Sequence, residues 1–111
     1  MVGGAAERPL AAAIAARAPG AIDLTGRTDF AALGALGRRA AFAVGNDTGP
    51  VHLLAATGCP TLALFGPESD PALCAPRGPA VAVLRHPRLA ALETAEVRAA
   101  LAGLVATHPR P

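Results

Sequence analysis

Two apolar runs that do not alternate with polar residues, AFAV at 41–44 and TLALF at 61–65, constrain the fold of this chain more than any other feature. A strand with one wet face alternates; a strand covered on both faces, as in a parallel sheet, reads as continuous apolar sequence. Residues 51–57, VHLLAAT, read as a short helix between them, so the two strands are expected to be parallel neighbours joined by a crossover. Each run halts on a polar turn, GNDTGP after the first and GPESDP after the second. In such a pair both turns leave from the carboxyl-terminal edge of the sheet, where open α/β folds hold their ligands.

The rest of the chain keeps the same alternation. Leu10, Ile14 and Arg17 stand at helical spacing and predict a helix over about 6–18, with Pro9 tolerated in its first turn and Pro19 and Gly20 ending it. AIDL, residues 21–24, reads as a short strand closed by Thr25 and Gly26. Thr28 is the expected N-cap of a helix whose Phe30, Leu33 and Leu36 share a face, and whose Gly34 and Gly37 each cost up to about 1 kcal/mol against Ala. Residues 66–79 form a connection rich in Pro and Gly, and AVAVLR at 80–85 reads as one further strand. Thr94 starts a last helix striped by Val97, Leu101, Leu104 and Val105, with Glu93 and Glu96 near the positive end of its dipole. The expectation is an α/β open sheet.

Composition narrows the function classes. At 111 residues the chain is one domain or part of one, and with 52% hydrophobic but only 3% aromatic residues its core must be built from Ala, Leu, Val and Ile. The net charge is +2 and the Arg residues are scattered, Arg38 and Arg39 being the one adjacent pair, so nothing resembles a nucleic-acid footprint. Cys59 and Cys74 have no neighbouring His or carboxylate cluster at metal spacing and read as reduced thiols; no metal and no cofactor is expected. The start, MVGGAAERPL, lacks the pattern of a signal peptide, and no apolar segment approaches the ~18 residues of a membrane span. A cytoplasmic chain is the expectation, with contact at a membrane surface left open.

The first polar turn carries the chemistry. It runs directly into a helix whose first N-H groups lack internal partners, and such a terminus attracts phosphate through its donors and its dipole. Gly49 lets a ligand approach the backbone, Thr48 offers a hydroxyl and an N-H, and Pro50 presets the first helical turn. Asp47 would repel a phosphate and so suits the hydroxyls of an attached sugar; the alternative is that Asp47 or Thr48 simply caps the helix. His52 donates to a phosphate oxygen or else holds the turn. In the second turn Glu68, Ser69 and Asp70 lie between prolines, and for Ser69 and Asp70 an ordinary Pro-rich loop is the preferred reading. Neither nucleotide-binding glycine fingerprint is present, and no Ser-His-Asp arrangement supports a hydrolase.

VGNDTGPVHLLAATGCPTLALFGPESDP resembles the signature of glycosyltransferase family 9, the ADP-heptose:lipopolysaccharide heptosyltransferases. VGGAAE and DLTGRTDF upstream, and AVAVLR with the final helix, are similar to the neighbouring segments, so the resemblance covers essentially the whole chain. It implies a Rossmann-like open parallel sheet with flanking helices, the incomplete carboxyl-terminal domain of a GT-B glycosyltransferase. On that resemblance residues 1–111 are a partial donor-binding domain and the amino-terminal acceptor domain is absent.

The implied donor site holds Asp47 on the heptose, Thr48 and Gly49 on the diphosphate through their backbone, and His52 close by. Glu7 would bind ribose hydroxyls, or else is an ordinary first-turn Glu, and Gly26 would allow close approach of the nucleoside. The implied partners are ADP-heptose or a related nucleotide sugar and, through the missing domain, the lipopolysaccharide core. The implied location is cytoplasmic, including the inner face of the inner membrane. The strand and loop that carry the family's phosphate-binding Thr and Lys, and the Asp that serves as general base, fall outside this chain. Two functions follow as expectations: the carboxyl-terminal part of an inverting heptosyltransferase, or a nucleotide-sugar-binding or inert remnant without turnover. A further expectation is an unpaired apolar sheet edge near AIDL or MVGG.

Overall fold

The computed structural model describes residues 1–68 and 70–110. Three strands, β1 (Ala43–Asn46), β2 (Thr61–Phe65) and β3 (Val81–Arg85), form one parallel sheet in the order β1-β2-β3. Ala43 pairs with Thr61 and Thr61 with Val81, so all three strands end at the same edge. The helices are α1 (Arg8–Arg17), α2 (Phe30–Arg39), α3 (Gly49–Ala56), α4 (Pro71–Cys74) and α5 (Thr94–Thr107).

β2 is the centre of the fold. Thr61, Leu62 and Ala63 have 0% exposure and Phe65 has 1%. Successive side chains of a strand point to opposite faces. Ala63 and Phe65 pack with Val51 of α3 in a buried cluster covered by Cys74 and Ala75. Leu64 turns the other way, beside Leu89 and Leu92 of the preceding connection and Val97 of α5. Helices therefore lie on both faces, which is why the run shows no alternation. The one polar side chain of β2, Thr61, donates its hydroxyl to the Cys59 carbonyl at 2.7 Å, offsetting the cost of burying it. Cys59 and Cys74 are free thiols, and burial pushes the Cys59 thiol up from its ordinary pKa.

α2 meets α3 differently from the sequence expectation. Leu33 is buried, but so are Gly34 and Gly37, whereas Phe30 is 82% exposed and Leu36 stays partly in water. A Cβ at Gly37 would collide with the Thr57 hydroxyl, which is held by donating to the Leu54 carbonyl at 2.6 Å. The glycines thus serve close helix approach. The N-cap is Asp29, not Thr28: its Oδ1 accepts from the Ala32 N-H at 2.8 Å. At the other end Arg110 donates to the carbonyls of Gly37 and Ala40 at 2.6 and 2.5 Å, satisfying acceptors the helix terminus leaves open.

Other boundaries move as well. The first strand begins at Ala43 because Ala41 and Phe42 are exposed and not yet paired. Residues 66–79 contain α4, whose N-cap Asp70 accepts from the Ala72 N-H at 2.9 Å. Glu68 is exposed, and the reading of Ser69 lies outside the described residues.

Residues 21–24 are not a strand of the sheet. Ile22 to Gly26 instead run beside the first residues: Met1 donates to the Ile22 carbonyl at 2.8 Å, Leu24 to Met1 at 2.9 Å and Gly26 to Gly3 at 2.7 Å. That spacing is a fragment of parallel ladder. Asp23 anchors the turn that follows, accepting from the Thr25 hydroxyl at 2.6 Å and the Thr25 N-H at 2.9 Å, and the Thr25 hydroxyl chiefly holds its carboxyl below the ordinary range. The stability this bond contributes is present above the unfolded carboxylate pKa and is lost as pH falls through the lower folded one. MVGG and AIDL pair with each other on one side only; the main chain of Val2 on the other side has no such partner among the described residues, and β1 is an edge of the three-stranded sheet.

Gly37→Ala gains helix propensity of up to ~1 kcal/mol but forces a methyl onto a hydrogen-bonded hydroxyl, an overpacking cost of about 1–3 kcal/mol. The expected net effect is destabilisation, read as a lower denaturation midpoint. An unchanged or raised midpoint would show that α2 and α3 do not meet at this glycine.

Candidate functional site

β1 ends at Asn46, and the chain passes through Asp47 and Thr48 into α3. Thr48 occupies the N-cap position with extended φ −136° and ψ 160°, yet its side chain makes no capping bond. His52 donates its main-chain N-H to the Thr48 carbonyl at 3.2 Å, while Pro50 has no N-H. The N-H groups of Gly49 and Val51 are left without an acceptor within the helix.

Asp47 does not cap the helix either. Its Oδ1 lies 2.7 Å from His52 Nε2, and its other oxygen has no protein partner among the described residues. Asp23, Asp29 and Asp70 behave otherwise, each accepting a main-chain N-H. Side-chain exposures of 25% for Asp47 and 43% for His52 leave the pair open to a solute. The helical rise brings these two side chains together from positions 47 and 52, on either side of the helix start.

Two glycines here have different causes. A Cβ at Gly45 would lie 2.7 Å from Val51 Cγ2, so that glycine lets β1 pack tightly on α3. A Cβ at Gly49 would meet nothing within 4 Å, and its φ is not positive. The fold does not require glycine there; the bare backbone faces open space at the helix start.

The remaining candidates are dispersed. Thr48 and Glu7 line one groove of about 730 Å³, Glu7 ending a turn of 3-10 helix and preceding α1 without a capping bond. Gly26 is not in that lining, although its chain neighbour Thr25 and its hydrogen-bond partner Gly3 are; it has φ +71°, and a Cβ on it would stand 2.7 Å from Arg8 Nη2. Turn geometry and the Arg8 side chain account for this glycine. Sequence reasoning passed over Asn46, which borders the groove and also a second concavity of about 440 Å³ with Leu64, Leu89, Leu92, Thr94 and Val97. Its signal was a polar residue closing an apolar strand at the ligand edge. Among the described residues no group of three or more His, Cys, Asp or Glu is placed to hold a metal, and no helix is long and apolar enough to cross a membrane.

The family model described as glycosyltransferase family 9 (heptosyltransferase) matches residues 1–101. Among solved structures the chain is similar to the glycosyl transferase family 9 protein from Veillonella parvula DSM 2008, with 28% identity and a TM-score of 0.69. The match covers 77% of this chain and 24% of that one, so the chain spans about a quarter of that protein's length. No curated protein matches it.

The different uses of aspartate are measurable. Asp29→Ala removes a true cap and is expected to cost about 1 kcal/mol in chemical denaturation, whereas Asp47→Ala should stay within about 0.5 kcal/mol of the parent. A comparable loss at both positions would mean that Asp47 caps α3 in solution.

Proposed function

The chain belongs to glycosyltransferase family 9, and from that premise we propose that it is the donor-binding part of a glycosyltransferase that moves heptose from ADP-heptose to the lipopolysaccharide inner core. One observation supports this reading above the others: α3 begins with no side-chain cap, because the nearest carboxylate is turned to His52 and the residue at the helix start is an unshielded glycine. The Gly49 and Val51 N-H groups and the helix dipole are the right chemistry for a diphosphate. The unpartnered oxygen of Asp47 then accepts from the hydroxyls of the attached sugar. His52 keeps that carboxylate off the helix terminus, where it would compete with the phosphate. Glu7, which lines the same groove as Thr48, accepts from ribose hydroxyls.

In the reaction an acceptor oxygen gives its proton to a general base and attacks the anomeric carbon with inversion. The bond from that carbon to the diphosphate breaks, and its electron pair leaves on ADP. Negative charge grows on the departing phosphate, and amides aimed at it stabilise the transition state by a few kcal/mol per well-placed donor. Asp47 and His52 belong to this leaving-group side. The acceptor domain and the base are supplied by the part of the enzyme that the chain does not span.

Calorimetric titration separates the roles. Asp47→Ala is expected to weaken ADP-heptose binding roughly 10- to 100-fold while leaving ADP nearly unchanged, since hydrogen bonds to a charged group are worth about 1.5–3 kcal/mol. Gly49→Ala should weaken both ligands without loss of stability. Equal heats from parent and Asp47→Ala protein would remove Asp47 from the donor site. Incubated alone with ADP-heptose and a lipopolysaccharide acceptor, the 111-residue chain is expected to give no product by mass spectrometry; measurable transfer would place the base within it.

A further inference from the structure

We propose that Arg8 is a specificity-determining residue of the donor site, its guanidinium forming a flat cationic platform on which the aromatic base of a nucleoside diphosphate stacks. The inference rests on the donor reading above and adds a residue to it. It starts from a ledge of bare main chain. Met1 bonds to Ile22 and Leu24, and Gly26 donates its N-H to the Gly3 carbonyl at 2.7 Å. That register sets Met1 opposite Asp23 and, continued, Gly4 opposite Gly26. Two side chains of opposite charge lie down on these glycines. The Glu7 carboxylate folds over Gly4, its Oε2 3.3 Å from where a Cβ would stand. The Arg8 guanidinium folds over Gly26, with Nη2, Nε and Cζ at 2.7, 3.3 and 3.4 Å from the corresponding point. Consecutive residues thus place an acid and a base on neighbouring backbones, yet the two do not pair: among the described residues the one ion pair joins His52 to Asp47.

Arg8 is exposed, so one side of its guanidinium rests on the Gly26 turn and the other is open to a solute. Its charge is the weakest of the influences that lower the Asp23 carboxyl, and the hydrogen bonds of Asp23 go to Thr25. The cation is therefore held in place but not neutralised. A free guanidinium takes either a phosphate or an aromatic face. Glu7 decides between them, because a carboxylate on the same ledge repels an anion, whereas a base is neutral and the face of its ring attracts a cation. The diphosphate also has its own donors in the Gly49 and Val51 N-H groups at the start of α3. The order of chemistries then matches that of a nucleotide sugar. Asp47 meets the sugar, the α3 terminus the diphosphate, Glu7 the ribose, and Arg8, the next residue in the chain, the base bonded directly to that ribose.

The test is calorimetric titration of ADP and of inorganic pyrophosphate into the 111-residue chain and its variants. Arg8→Ala is expected to weaken ADP roughly 2- to 30-fold and to leave pyrophosphate unchanged, the range spanning an exposed to a desolvated cation on an aromatic face. Retained pyrophosphate binding also reports an intact fold. Arg8→Lys keeps the charge without the plane and should recover little of the loss. Arg17→Ala, which removes an exposed arginine from the far end of α1, should bind ADP as the parent does. Unchanged ADP binding in Arg8→Ala, full recovery in Arg8→Lys, or a parallel loss of ADP and pyrophosphate would each overturn the proposal. A parent that binds pyrophosphate as tightly as ADP removes the base platform and leaves the diphosphate site standing. A parent that binds neither ligand removes both.

Discussion

Everything in this molecule follows from the burial of β2 on both faces. A strand with no water on either side needs helices above and below it and paired neighbours on each edge. β1 and β3 supply the pairing, and α3 and α5 supply the cover. A crossover through α3 forces β1 and β2 to run in parallel, and parallel strands must release their turns at one edge. Asp47, Thr48 and Gly49 stand where they do because Leu62 and Ala63 are dry.

At that edge local capping chemistry separates a structural terminus from a binding one. The short polar residues of this chain have a strong tendency to satisfy main-chain donors, and Asp23, Asp29 and Asp70 all do so. Asp47, with the same opportunity beside α3, is diverted to a histidine. A free amide terminus gives up the ~1 kcal/mol that a cap contributes, and a protein that leaves it free keeps it available for a ligand. The absence of any internal need for glycine at position 49 is a second departure of the same kind.

The elements legible from sequence were those set by local pattern. β2 is found at the residues the apolar run indicates, α3 and α5 are displaced by little, and the two polar turns do share an edge. What escaped was governed by long-range contact. Gly34 and Gly37 look like defects in a helix until α3 is placed against them. AIDL has the composition of a sheet strand, but the segment beside it is Met1 to Gly3, and the ladder they form is isolated from β1. Arg110 reaches α2 from the far end of the chain, a contact that no local pattern marks. At the candidate site the residue types and their order were readable. The pairing of Asp47 with His52, the crowding of Gly26 by Arg8 and the contribution of Asn46 required coordinates.

The exposed apolar residues gather mostly where the sheet is interrupted, and this distribution has an energetic meaning. Leu10, Ile14, Phe42 and Val44 do not remain in water at no cost: fully burying such a side chain is worth about 1.5–3 kcal/mol, and these are 44–64% exposed, so each forgoes part of that. Scattered singly they would need no explanation, but all four line the one groove that also holds Thr48 and Glu7. The core around β2 is complete without that surface, so the fold has one half in which pattern and packing agree and another in which the pattern anticipates contacts that these residues do not supply. Thr48 and Glu7 lie on that groove and also in the proposed ligand site, so the polar end of an otherwise apolar surface is where the donor chemistry gathers.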